Sequence, residues 1–190
     1  MELKDLEEAI ENMIVQHDYP GFEPRSLNLA LPTIFSNASA GIYAKALKSD
    51  SVYVQLAALR WFHNKPGLAK THAKLIATHL ENTDPWVRTE ATRTIEITKT
   101  ADINVISSIC HLLKDLEPMV RMEAAKALGN LGKEITQTGK STNFKGTLAE
   151  KTAAKEQIIK ALKESSEDSV LDVRRKVIKS LRKLGAFSNS

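Results

Sequence analysis

The feature that most constrains the fold is a segment of about twelve residues that recurs along the chain at a spacing of 33 residues. Asp84 to Ile95 has the sequence DPWVRTEATRTI, and Glu117 to Leu128, 33 residues later, has EPMVRMEAAKAL. Ser51 to Phe62, 33 residues earlier, keeps the valine and one alanine, and Val170 to Leu181 lies 53 residues after the third copy. Self-similarity at a fixed period indicates units that must stack on one another to bury a core.

Each copy has apolar residues four and eight positions apart, which places them on one side of a helix. Asp84 ahead of Pro85 is typical of a helix start, because aspartate accepts from free amides and proline has no amide hydrogen. Gly129, Gly132 and Gly185 predict helix ends. The four apolar stripes are Val54, Ala58 and Phe62; Val87, Ala91 and Ile95; Val120, Ala124 and Leu128; and Val173, Val177 and Leu181.

Partner helices are predicted between the copies, near residues 33–48, 67–81, 102–115 and 150–165. We expect an all-α fold, a short right-handed α-solenoid of about four helix pairs preceded by an N-terminal helix over 3–16. Pro20 to Pro24 would connect that helix to the first pair. The inner face of the third partner helix comprises Ile103, Ile106, Ile109, Cys110 and Leu113, and that of the N-terminal helix comprises Leu3, Leu6, Ile10 and Ile14.

The whole chain is interpreted as one solenoid domain over 1–190. The 53-residue spacing exceeds the period by 20 residues, which predicts an insertion over Lys133 to Thr152 whose core is a mobile loop rich in Thr, Ser, Gly and Lys. The predicted divisions are repeat 1 over 33–65, repeat 2 over 66–99, repeat 3 over 100–132, an inserted flexible loop over 133–149, and repeat 4 over 150–186.

At these residues the chain resembles the HEAT-repeat family, in particular the short repeats of bilin-lyase-like proteins, whose second helix opens with Asp-Pro-x-Val-Arg-x-x-Ala and often ends in Leu-Gly. Asp84 to Ala91 matches fully, and Glu117 to Gly132 matches with Glu in place of Asp. Val173, Arg174 and Leu184-Gly185 match in part, whereas the first copy has Gln55 in place of the arginine. The resemblance covers about residues 33–186.

The resemblance implies an edge role for the motif arginines Arg88, Arg121 and Arg174, which would bond to acids or carbonyls of a neighbouring repeat. Their position agrees with this, because a long stem one residue past the valine covers the core while its guanidinium reaches a partner. Trp86, after the capping proline, is interpreted as packing between repeats, with an exposed anchor for a partner as the alternative.

Six residues after each motif valine stands a base, which lies about 240° round the helix from the buried stripe. The four bases are predicted to form one exposed basic column, with Glu90 and Glu123 on its other side. By the resemblance this side of the second helix lines the concave face. The predicted partner-binding residues are Arg60, Arg93, Lys126 and Lys179 in the column, flanked by Leu56, Met122, Arg175 and Arg182. The alternative is that these cations are simply solvated helix positions.

Charge is unevenly spread in this chain of net charge +4: residues 1–32 carry seven acids against two bases, and residues 151–190 carry ten bases against five acids. Such asymmetry steers charged partners or favours head-to-tail self-association. The chain lacks an 18-residue apolar run and a basic, apolar leader, and its single cysteine, Cys110, fits a buried position in a reducing compartment. A cytoplasmic protein without membrane contact is predicted.

Patterns for catalysis or ligands are weak. Glu134 to Thr142, EITQTGKST, ends like a phosphate-binding loop, but Glu134 stands where that loop requires glycine and no strand pattern precedes it. His72 and His79 are seven residues apart on one predicted helix, about 10 Å, which is too far for one metal ion. We therefore predict no catalytic residue, no cofactor and no metal.

The predicted function is a non-enzymatic HEAT-repeat adaptor or scaffold that binds another protein with an acidic surface through a basic concave face. An accessory or lyase-like factor for tetrapyrrole (phycobilin) proteins is the alternative implied by the bilin-lyase-like repeats. Binding to a nucleic-acid backbone is less favoured, because no aromatic residue occupies the basic column to hold a base.

Overall fold

A computed structural model describes residues 2–16, 39–99, 102–136 and 144–187 of the chain. Within these ranges the secondary structure is helical, without a β-strand, and none of the helices there is both long and apolar enough to cross a bilayer. The helices are α1 Leu3–Gln16, α2 Ala40–Ala46, α3 Val52–His63, α4 Pro66–Thr71, α5 Ala73–Ala77, α6 Pro85–Thr98, α7 Ile103–His111, α8 Pro118–Thr136, α9 Leu148–Glu164 and α10 Leu171–Lys183, with 3₁₀ turns over Thr78–Glu81 and Leu112–Lys114.

The four recurring segments form the second helices α3, α6, α8 and α10, and each packs against the next. Partner helices lie beside them: α2 contacts α3, α4 and α5 contact α6, α7 contacts α8, and α9 contacts both α8 and α10. All twelve residues of the four apolar stripes are buried in one continuous core. The predicted all-α solenoid of stacked helix pairs is therefore confirmed.

The N-terminal helix α1 covers the first helix pair, as predicted. Leu6 and Ile10 are fully buried, Leu3 packs against the core, and the helix contacts α2 and α3. The predicted connector Pro20 to Pro24 lies outside the described residues.

The partner helices are more broken than the sequence predicted. The helix expected over 67–81 is interrupted at His72 and ends in a 3₁₀ turn, and the one expected over 102–115 also ends in a 3₁₀ turn. The buried His79 fills the end of the former, where its Nε2 lies 2.8 Å from the Leu47 carbonyl of the preceding repeat. Of the helix expected over 33–48, residues 40–46 are helical and 33–38 lie outside the described part.

Two glycines predicted to end a helix instead lie inside one. Helix α8 continues through Gly129 and Gly132 to Thr136. A Cβ on Gly129 would lie 2.5 Å from the Ser180 Oγ, and one on Gly132 would lie 2.8 Å from Leu184 Cδ2. Both glycines therefore allow α10 to approach α8 closely, whereas Gly185, with φ +65°, does follow a helix end as predicted.

The predicted inserted loop over 133–149 is helical at both described ends. Residues 133–136 belong to α8, and α9 begins at Leu148, where Thr147 and Glu150 form a reciprocal capping box. Residues 137–143 lie outside the described part. Both ends of the insertion therefore extend the helices that flank it, and the second helix of the third repeat continues past residue 132.

Two of the three motif arginines, Arg88 and Arg121, link successive repeats, as the resemblance implied, whereas the carbonyls that Arg174 bonds to belong to its own repeat. Arg88 donates through Nε and Nη2 to both carboxylate oxygens of Asp115 at 2.7 and 2.8 Å, and through Nη1 to two carbonyls of its own repeat. Arg121 repeats this geometry with Asp168 at 2.7 and 3.1 Å. Two-point guanidinium–carboxylate contacts fix distance and orientation together.

The contacts along this edge of the stack are different in the first and last repeats from those made by Arg88 and Arg121. In the first repeat Gln55 replaces the arginine and Asn82 replaces the aspartate, and Asn82 donates to the Gln55 side-chain oxygen at 2.9 Å. The first link is thus an uncharged version of the same contact. In the last repeat Arg174 bonds to the carbonyls of Asp168 and Ser169, the same kind of anchor that holds Arg121.

Replacement of Gly129 tests the close approach of α8 and α10. We expect Gly129→Ala to cost about 1–3 kcal/mol, because the methyl group would overlap the Cα as well as the side chain of Ser180, which rotamer change cannot relieve. Gly67→Ala is the control, since a Cβ there meets nothing within 4 Å. Urea unfolding would contradict this if Gly129→Ala were no less stable than Gly67→Ala.

Replacement of Asp168 tests the edge links and gives a pH dependence. The Arg121 hydrogen bond holds the pKa of Asp168 below its ordinary value, so its stabilisation is present above the unfolded-state pKa and is lost as pH falls through the folded-state pKa. Asp168→Asn should cost about 2 kcal/mol at pH 7, and the cost should shrink below about pH 4. Asp172→Asn, from an exposed ion pair, should change stability little at either pH in urea titrations.

Candidate binding groove on the second helices

Three rows of side chains run across the second helices on the side away from the partner helices. The row one residue before each motif valine holds Tyr53, Trp86, Met119 and Asp172; the row three residues after it holds Ala57, Glu90, Glu123 and Lys176; and the row six residues after it holds Arg60, Arg93, Lys126 and Lys179. Members of all three rows line a common groove.

Two of the residues predicted to be exposed there are buried. Arg60 is 5% exposed and Leu56 is fully buried in the core cluster. A helical wheel of α3 places Arg60 and Leu56 on the side opposite the apolar stripe of that helix. It omits the neighbouring second helix α6, which packs against α3. The prediction of four equivalent exposed bases is therefore wrong at Arg60, and Leu56 presents no surface for a partner.

The central bases belong to a charge ladder, defined as Arg60, Glu90, Arg93, Glu123, Lys126 and Glu96. Glu90 Oε1 lies 3.6 Å from Arg60 Nη2 and 2.9 Å from Arg93 Nη1. Glu123 lies 3.1 Å from Arg93 Nε and 2.7 Å from Lys126 Nζ, and Glu96 lies 3.0 Å from the same Lys126 Nζ. Each acid joins a base of its own or an adjoining repeat.

Glu90 and Glu123 flank the basic column, and each forms an ion pair with the base that follows it by three residues. Both are nearly buried between bases of successive repeats, and their position three residues before Arg93 and Lys126 brings the pairs together on one helix face. The middle of the groove is consequently close to charge balance.

The ladder shifts pKa values in the directions that its geometry requires. Burial lowers the pKa of Arg60, and this effect exceeds the opposing one of Glu90. Burial also acts to lower the pKa of Lys126, but hydrogen bonds and charges from Glu123 and Glu96 outweigh it and raise the value. The ladder therefore keeps Lys126 protonated and held by two carboxylates.

The ladder changes character at its C-terminal end. The position that holds Glu90 in one repeat and Glu123 in the next holds Lys176 in the last. Neither Lys176 nor Lys179 has an ion pair with any acid in the described part of the chain. Positive charge that is balanced in the centre is thus left unbalanced on α10.

Three residues predicted to flank the basic column, Arg175, Arg182 and Met122, differ in exposure and in their contacts. Arg175 is exposed and forms a 3.2 Å ion pair with the exposed Asp172. Arg182 is exposed, with its guanidinium 5.3 Å from the ring centroid of Phe187. Met122 is half-buried and lines the groove. The structure brings Met122, Arg175 and Lys179 together and leaves Arg60 at the opposite end.

Sequence reasoning missed Lys176, Met119 and the role of the two ladder acids. The signal was present in the row three residues after each valine, where two glutamates are followed by a lysine. A search for positions that hold a base in every repeat overlooks this one, because two repeats have glutamate there and the last has lysine.

Trp86 both packs against the core and contributes to the groove surface, so its position has features of both predicted roles. It is half-buried, packs against the core cluster and also lines the groove. Trp61 is likewise half-buried, stacked on Tyr43 with ring centroids 4.1 Å apart, and lies outside the residues that line the groove.

The described residues provide neither a metal-binding cluster nor a reactive thiol. No cluster of three or more His, Cys, Asp or Glu side chains suited to a metal ion occurs there. Cys110 is buried as predicted, and burial raises the pKa of its thiol to about 12, so the reactive thiolate is not formed near neutral pH.

Comparison with known proteins bears on the fold. Residues 105–135, which span α7 and most of α8, match the HEAT repeat family model. The match covers one helix pair of the stack. The recurrence of its second-helix motif in α3, α6 and α10 extends the HEAT-like pattern along the stack. A search of curated proteins finds no match.

Solved structures of repeat proteins resemble this chain in fold. A designed armadillo repeat protein in complex with the peptide (KR)4 matches with a TM-score of 0.59 and 13% identity, over 96% of this chain and 87% of that one. An engineered protein matches with a TM-score of 0.56 and 18% identity, over 77% of this chain and 62% of that one, so the present chain spans less than two thirds of its length.

The complex of CpcE and CpcF of phycocyanin lyase from Nostoc sp. PCC7120 matches with a TM-score of 0.49 and 14% identity, over 77% of this chain and 65% of that one. A likeness of this degree carries no argument about activity. The tetrapyrrole alternative therefore stays a prediction from the repeat motif alone.

Replacement of Lys176 by glutamate tests the ladder directly. Lys176→Glu restores the acid found at this position in the two preceding repeats, three residues before Lys179. We expect a gain of about 0.3–1 kcal/mol that diminishes with added salt, since the new pair is only partly buried. Lys176→Gln, which removes the charge without adding an acid, should gain less. Equal stability of the two variants in urea at low salt would contradict the ladder.

Proposed function

We propose that this chain is a non-enzymatic protein-binding module whose second-helix groove holds an acidic segment of another protein. The observation that carries the proposal is the change of sign at Lys176, which leaves Lys176 and Lys179 without acidic partners in the described region beside a ladder that is otherwise paired. An acidic segment supplies the charge that the preceding repeats supply for themselves.

The energetics favour the C-terminal end of the groove over its centre. A ligand carboxylate at Arg93 or Lys126 would have to displace Glu123, which already contacts both. At Lys176 and Lys179 it displaces only water. Of the eight residues predicted to bind a partner, we therefore keep Lys179, Arg175 and Met122. Lys176 is added to them.

The designed armadillo protein supplies a useful contrast. Its peptide, (KR)4, is basic, whereas the unbalanced charge in the groove of this chain is positive. Similarity of fold therefore does not imply that the two proteins bind the same kind of peptide. Charge complementarity instead favours a ligand of the opposite sign.

Binding of a labelled (DE)4 peptide, measured by fluorescence anisotropy, tests the proposal. We expect saturable binding that weakens steeply with salt, no binding of (KR)4, and a loss of at least tenfold for the Lys176→Glu, Lys179→Glu double variant. The matched control is Lys155→Glu, Lys160→Glu, which makes the same charge change at exposed positions of α9.

Two results would overturn the proposal. One is equal loss in the two double variants, which would assign the binding to net charge alone. The other is binding of (KR)4 as strong as that of (DE)4, which would show that the cations of α10 do not select the ligand.

A further inference from the structure

The groove consists of two adjoining cavities of about 290 and 280 Å³. Met122 and Lys176 line both, so one occupant can extend from the first into the second. The first is otherwise lined by Arg60, Trp86, Glu90, Arg93, Met119 and Glu123, and the second by Asp172, Arg175 and Lys179.

The first cavity offers an apolar contact. Its four charged side chains other than Lys176 are engaged with one another through the ladder, Arg60 with Glu90 and Arg93 with both glutamates. The surface left for a ligand is that of Trp86, Met119 and Met122, all half-buried and packed on the core. Tryptophan and methionine provide a large, adaptable apolar contact surface.

The second cavity offers cations. Three bases line it against the single acid Asp172, which is engaged with Arg175. Lys176 and Lys179 lie three residues apart on α10, so their ammonium groups extend from the same helix face. The polar counterpart of this cavity is a carboxylate.

We infer that the groove recognises a bipartite segment, an apolar side chain against Trp86, Met119 and Met122 and a carboxylate side chain between Lys176 and Lys179. This inference rests on the proposed function and specifies the segment that the module binds. The carboxylate takes the part that Glu90 and Glu123 play in the preceding repeats. Adjacent helices lie about 8–10 Å apart, which an extended chain spans in about three residues.

End-capped, labelled octapeptides in a Gly-Ser background test this inference by anisotropy. The reference peptide carries Leu and Glu three positions apart, and its two variants replace Leu by Gly or Glu by Gln. We expect each replacement to weaken binding by about tenfold, since each removes one of the two contacts that the groove makes with the peptide. Capped ends exclude binding through a terminal carboxylate.

Protein variants assign each contact to its cavity. Lys179→Gln should weaken the reference peptide about tenfold but leave the Glu→Gln peptide almost unaffected, and Met119→Ser should do the same for the Leu→Gly peptide. Non-additivity of this kind marks direct pairing. The thermal unfolding midpoint of each variant, together with its retained response to the other peptide, excludes misfolding as the cause.

Failure of this inference is distinguishable from failure of the proposed function. If (DE)4 binds but the reference peptide binds no better than its Leu→Gly variant, the apolar contact is absent and the inference falls while the module remains acid-binding. If neither peptide binds, both fall. Equal binding of a labelled oligothymidylate, lost in Lys179→Gln, would show that the cations hold a phosphate backbone, and it would overturn the inference.

Discussion

Close stacking of the second helices is the constraint on which the rest of the structure depends. Gly129 lets α10 approach α8 so closely that an added Cβ would meet the Cα of Ser180 at 3.0 Å, and the Ser180 hydroxyl donates to the Ala125 carbonyl at 2.7 Å. That approach sets the register between repeats. Across adjoining repeats, Arg60 then meets Glu90, Arg93 meets Glu123, and the edge arginines Arg88 and Arg121 meet an aspartate.

Two kinds of polar contact use this register for different purposes. The edge arginines Arg88 and Arg121 each donate two hydrogen bonds to an aspartate of the next repeat, and these contacts join the repeats along one edge of the stack. The charge ladder lines the groove, where the buried Glu90 and Glu123 and the half-buried Glu96 form ion pairs with its bases. Such pairs contribute modestly to stability because desolvation opposes them, but they specify where charge is balanced and where it is not. On α10, Arg182 stands where α8 has Gly129, so the glycine at which α10 packs on α8 is not repeated on α10.

The sequence predicted features that depend on one helix and its period. The valine stripes, the Asp84 cap and the edge arginines follow from spacing within a repeat, and the structure has all of them. Features set by contacts between repeats were not predictable in the same way. A glycine inside α8 differs from a glycine after a helix only through Ser180, about 50 residues away, and Arg60 is buried by a neighbour that a single-helix wheel omits.

The uncharged link between Gln55 and Asn82 gives the two ends of the stack different responses to acid. An amide pair does not titrate, whereas the link through Asp168 requires an ionised carboxylate, whose pKa the Arg121 hydrogen bond lowers. Acidification therefore loosens the array from its C-terminal half, where the unbalanced cations of α10 also repel one another. The same end that offers positive charge to a ligand is the end whose order depends on pH, and a bound carboxylate would oppose that loosening.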